Sequence, residues 1–121
     1  MHEGFVTYSE ALFIERLFGK EAYKKTMELM TKKMQEEENY VLALPEKDTK
    51  LTKFERYNGY IGASFLDKLR TQINEDKVFF DILKSFQLKF RKKIITIDVF
   101  LTMVNEKTKK DFTKFFKAEL Y

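Results

Sequence analysis

Apolar residues recur along this chain at the three- and four-residue spacing of helices rather than at the alternation of strands. Between Gly4 and Phe18, Phe5, Tyr8 and Leu12 share one face and Val6, Phe13 and Leu17 another, which predicts a first helix buried on most sides. Gly19 is placed to stop it. Lys20 to about Glu37 predicts a second helix, closed by Glu36 to Asn39, with Tyr23, Met27, Met30 and Met34 in one stripe. Flexible thioethers fill irregular gaps between helices, so this stripe reads as core. Tyr40 to Glu55 contains the single proline, Pro45, and predicts a long surface loop, with strand-like alternation confined to Tyr40 to Leu44.

A third helix, from about Gly59 to Thr71, carries Ile61, Phe65 and Leu69 on one face. Its small residues Gly62, Ala63 and Ser64 allow another backbone to come close. Asn74 is placed to cap a fourth helix, with Glu75 and Asp76 in the first turn and Arg91, Lys92 and Lys93 in the last, each sign suited to the helix dipole. Its core stripe is Phe79, Ile82, Leu83, Phe86 and Phe90. Thr96 caps a short fifth helix carrying Val99, Phe100, Met103 and Val104, and Asp111 caps a sixth carrying Phe112, Phe115, Phe116 and Leu120. The prediction is an all-α fold, a bundle of about six helices in one domain over residues 1–121.

Composition agrees with a folded chain, since 44% of residues are hydrophobic and thirteen are Phe. The net charge of +4 arises from 23 basic and 19 acidic residues mixed along the whole length. Phosphate recognition needs a basic face, which this mixture does not make, so no nucleic-acid partner is expected. Without cysteine the chain has no disulfide, no thiolate metal ligand and no thiol nucleophile. No run of about 18 apolar residues appears, and neither a membrane span nor a signal peptide is expected.

Candidate chemistry gathers on the first helix. Glu3, Thr7 and Glu10 stack along one line of an otherwise apolar cylinder. Such a line is either a narrow solvated face, which spacing alone favours, or a buried site, where carboxylates must be paired or hold metal. His2-Glu3 does not open an HExxH zinc motif, because the fifth position is Val6 and no second histidine exists. Ser9, Ser64 and Ser85 have no histidine to activate them, and Gly59 with Gly62 lacks the lysine and strand of a phosphate loop. The residues contain no complete catalytic apparatus.

Three blocks nevertheless resemble, in order, the aminopeptidase N family of gluzincin zinc metallopeptidases, to which leukotriene hydrolase also belongs. His2-Glu3-Gly4-Phe5-Val6-Thr7-Tyr8-Ser9-Glu10-Ala11-Leu12 is similar to the family's Asn/His-Glu-Gly-Phe-x-x-Tyr helix, which follows HExxH by about 18 residues. Tyr60 to Arg70 is similar to its Tyr-x-Lys-Gly-Ala helix, and Ile95 to Phe100 followed by Val104 to Phe116 is similar to the end of its catalytic domain. The resemblance implies the C-terminal helical lobe of a thermolysin-like catalytic domain, with the upstream lobe and its HExxH helix missing. It implies zinc as cofactor in the full-length protein, not retained by this chain alone, with Glu3 as third ligand and Glu10 supporting the ligands from behind. Peptide would be the substrate, and the chain by itself would be inactive.

One position departs from the pattern. The family's transition-state tyrosine stands three residues before the glycine of Lys-Gly-Ala; here that place is Gly59, and Ile61 replaces the lysine. Either Tyr60 or Tyr57 supplies the phenol after a shift of register, or the chain is an inactive relative. The rival reading is a stand-alone helical module that binds a partner or self-associates through an exposed apolar face.

Overall fold

In the computed structural model, residues 2–42, 59–89 and 97–120 are described, with side chains over 4–36, 59–88 and 97–120. The fold is an all-α helical bundle. The described helices are α1 (His2–Phe18), α2 (Lys20–Leu42), α3 (Gly59–Ile73), α4 (Asp76–Lys89), α5 (Ile97–Thr108) and α6 (Thr113–Leu120). No strand occurs among the described residues. No described helix is long and apolar enough to cross a membrane. The chain divides into two compact units, Met1–Asp67 and Lys68–Tyr121.

In the first unit α1 packs on α2. A single residue joins them. Gly19 has φ +95°, donates its N–H to the Glu15 carbonyl at 2.8 Å and accepts the Tyr23 N–H at 3.2 Å. It therefore closes one helix and opens the next, using the left-handed backbone that glycine adopts without steric cost. Phe5, Tyr8 and Ala11 of α1 and Met27 and Met30 of α2 are buried. The N-terminal part of α3 is enclosed more completely: Ile61, Gly62, Ala63, Ser64, Phe65 and Leu66 are consecutive and all buried. Six consecutive residues pass all the way round a helix, so this stretch of α3 is covered on every side.

The second unit begins within α3, at Lys68. Its buried residues include Leu69 and Ile73, then Phe79, Ile82, Leu83 and Phe86 of α4, Phe100, Met103 and Val104 of α5, and Phe116 and Leu120 of α6. Phe100 sits centrally, its ring centroid 4.8 Å from that of Phe86 and 5.9 Å from that of Phe116. The Phe86 contact is edge-to-face, the arrangement the ring quadrupole favours. Between α5 and α6 the chain turns through Lys109, at φ 59°, whose N–H reaches the Asn105 carbonyl at 2.9 Å. The Asn105 Oδ1 then accepts the Phe112 N–H at 2.8 Å, and Asp111 Oδ1 accepts the Thr113 N–H at 2.9 Å. Asp111 thus caps α6 as its sequence position predicts.

Three expectations need correction. The first helix is buried on one side only: Val6, Phe13 and Leu17, read above as a second covered face, are 49%, 62% and 56% exposed. The second helix runs on to Leu42, past the acidic cluster expected to close it, and Tyr40 to Leu42 is helical rather than extended. Asn74 ends α3 instead of capping α4: its φ is 53° and its N–H bonds to the Arg70 carbonyl at 3.0 Å. Glu75, whose carbonyl accepts the Phe79 N–H at 3.0 Å, stands at the start of α4. Asparagine suits both a left-handed helix end and an N-cap, and the backbone resolves the ambiguity. The Pro45 loop, Phe90, the basic run Arg91 to Lys93 and the Thr96 cap lie outside the described residues.

Candidate functional site

Glu3 stands in the first turn of α1, with its side chain outside the described set. Gly4, Phe5 and Tyr8 are buried, Thr7 is half-buried and Glu10 is exposed. Thr7 and Glu10 therefore lie on a solvated line, the reading that spacing favoured. Ser9 turns its hydroxyl back onto the Phe5 carbonyl at 2.8 Å and is spent within the helix.

That solvated line is bordered by apolar side chains. Val6, Glu10, Phe13 and Leu17 follow one another at four, three and four residues, so they form one stripe, and Glu3 stands one face-repeat before Glu10. The side of α1 carrying the candidate ligand position is thus both acidic and apolar. Phe18 at the end of the helix is 72% exposed.

The opposite side of α1 is held by a chain of hydroxyls that sequence reasoning missed. Tyr8 is 1% exposed, and its Oη lies 2.7 Å from the Oη of Tyr23 on α2. Tyr23 in turn donates to Oδ1 of Asp67 on α3 at 2.6 Å. A phenol has one proton, so with that proton given to Asp67 the shared bond must be donated by Tyr8. The direction runs Tyr8 to Tyr23 to Asp67. The second bond has the short length of a charge-assisted O–H···O⁻ interaction. Burial, the neighbouring Tyr8 and the bond to Asp67 together push the Tyr23 phenol far above the usual tyrosine range. The two rings meet edge-on, with centroids 6.3 Å apart.

The remaining candidates stand at the start of α3. Gly59 is buried and opens that helix, so the place of the expected tyrosine carries no side chain. Tyr60 is half-buried, with the Lys33 ammonium 5.8 Å from its ring centroid, and Ile61 is buried. Tyr57 lies outside the described residues. Among the described residues no three His, Cys, Asp or Glu side chains gather to hold a metal ion. With one histidine and no cysteine, the donors of this chain do not fit a complete zinc site, which takes three or four protein ligands.

No family model matches the chain, and no curated protein or solved structure matches it.

Proposed function

We propose that this chain is the C-terminal helical part of an aminopeptidase N-like zinc peptidase catalytic domain, contributing Glu3 to a metal site that an upstream lobe completes. The observation that carries the reading is the stripe on α1. Val6, Phe13 and Leu17 leave an apolar surface uncovered on the side where Glu3 and Glu10 are placed. An exposed apolar patch rimmed by polar groups marks an interaction surface, and a carboxylate within it suits a partner carrying a cation. Packing gives further support. Gly4, Phe5 and Tyr8 of the first resembling block and Gly62, Ala63 and Leu69 of the second are buried, so the positions that carry the resemblance are those that build the core.

On this reading the chain's own contribution is to bind and orient. α1 presents Glu3 as a ligand, Glu10 orients donors from the solvent side, and Tyr60 or Tyr57 stands near the start of α3 as a candidate phenol donor. Bound zinc would polarise a peptide carbonyl and acidify water; this chain does not itself assemble the site. Reading the native gene upstream of Met1 tests the proposal. HExxH about 18 residues before Glu3 is expected, and unrelated sequence there would refute it. In the protein completed by that lobe, Glu3→Ala should abolish zinc retention and peptide hydrolysis.

The second reading, a self-associating helical module, is favoured by the extent of exposed apolar surface, which also takes in Phe18 and Leu29. It requires a defined oligomer in which Phe13 and Leu17 become protected from solvent. A monomer by sedimentation would exclude it.

A further inference from the structure

We infer that Tyr23 and Asp67 are positioning residues, which through Tyr8 set the rotation of α1 about its own axis and so decide which side of that helix faces outward. The bond lengths of 2.7 Å and 2.6 Å tie three helices together at one point. Phenylalanine at position 8 or 23 would bury the same ring, so the hydroxyls are not needed for apolar packing. They add direction. A hydrophobic contact survives sliding and rotation, whereas a hydrogen bond weakens steeply once its angle closes.

The geometry of α1 makes that direction consequential. Tyr8 precedes Glu10 by two residues, about 200° around a helix, so the inward setting of Tyr8 is the outward setting of Glu10 and its apolar neighbours. A turn of α1 by one residue position, about 100°, would bring Ser9 or Thr7 round toward the methionine core. The network opposes that slip because it includes a carboxylate, which can only accept. What the outward face is for rests on the zinc-peptidase reading; that it is held outward by these residues does not.

The chain has no cysteine, so paired spin labels can be placed without removing native thiols. Labels at the exposed positions Glu10→Cys and Glu28→Cys report the setting of α1 against α2. The full chain should give one narrow distance distribution. Tyr23→Phe should broaden it, with helix content by circular dichroism retained, and amide-exchange protection in α1 should fall by about ten- to a hundredfold, the loss expected for a charge-assisted hydrogen bond. Asp67→Asn, whose amide oxygen still accepts a phenol proton, should keep the distribution narrow, whereas Asp67→Leu should broaden it. An unchanged narrow distribution in Tyr23→Phe overturns the inference. If Tyr23→Phe does not fold, Tyr8→Phe decides in the same way, because it leaves the Tyr23–Asp67 bond in place. Neither zinc nor peptide enters this readout, so retention of zinc by the Glu3→Ala protein would sink the peptidase reading while leaving the positioning role standing.

Discussion

At the scale of residues, Tyr23 has the most distinctive environment in the first unit. Its phenol stays neutral because ionisation would place a second negative charge beside Asp67 in a partly buried site. The folded-state affinity for this proton exceeds that of the unfolded chain. Its contribution to stability is therefore complete below the ordinary tyrosine pKa of about 10 and is lost as pH rises beyond it toward the folded value. Alkaline titration followed by tyrosine absorbance should show a phase of phenol ionisation that appears only as the helices melt. The Tyr23→Phe protein should lack that late phase. Asp111 behaves with the opposite sign. The Thr113 hydroxyl and then the Thr113 N–H hold its carboxyl below the usual range, so what it contributes to α6 is present above the unfolded pKa and disappears on acidification. The protection factor of the Thr113 amide, its exchange corrected for the intrinsic pH dependence, should fall on acidification, and Asp111→Asn should remove that fall.

Elements show how far the sequence could be read. The three-to-four-residue spacing located the helices because burial of one face is what selects that spacing. Glycine at position 19 and aspartate at 111 marked helix ends because few residues suit those backbone tasks. Replacing Gly19 by Ala should cost about 1–2 kcal/mol in urea unfolding, the penalty of a β-carbon in left-handed backbone. Nothing lies within 4 Å of the added carbon, so no steric clash enters that cost. The exposure of Val6, Phe13 and Leu17 was not legible, because periodicity tells which residues share a face and not whether anything covers it. Nor was the Tyr8–Tyr23–Asp67 chain: Tyr23 and Asp67 are 44 positions apart, and each tyrosine fits an apolar stripe with its hydroxyl ignored. The clue available was an aspartate, Asp67, directly following the buried run Ile61 to Leu66. Asn74 was read on the wrong side of its turn because asparagine serves both helix ends, and only φ distinguishes them.

The molecule as a whole contains two cores of different character. The second is aromatic and centred on Phe100, which is fully buried between Phe86 and Phe116. Phe100→Ala should destabilise by about 3–5 kcal/mol, measured as the shift of the urea midpoint at unchanged slope. The first core relies on thioethers, small residues and a hydroxyl network, and it leaves α1 with an uncovered side. Phe13→Ser with Leu17→Ser should lower binding of an apolar dye without lowering stability, since both side chains are already mostly in water. A loss of stability would show that the stripe is covered in solution. The border between the two units falls between Asp67 and Lys68, inside α3, which gives Ile61, Phe65 and Leu66 to one and Leu69 and Ile73 to the other. A gene cut at that border would therefore sever a helix within its length and break the backbone hydrogen bonds that cross the cut. For recombination, the consequence is that a crossover at this border passes through a helix and not through a linker, so an exchange of either unit has to rebuild α3 from two parents.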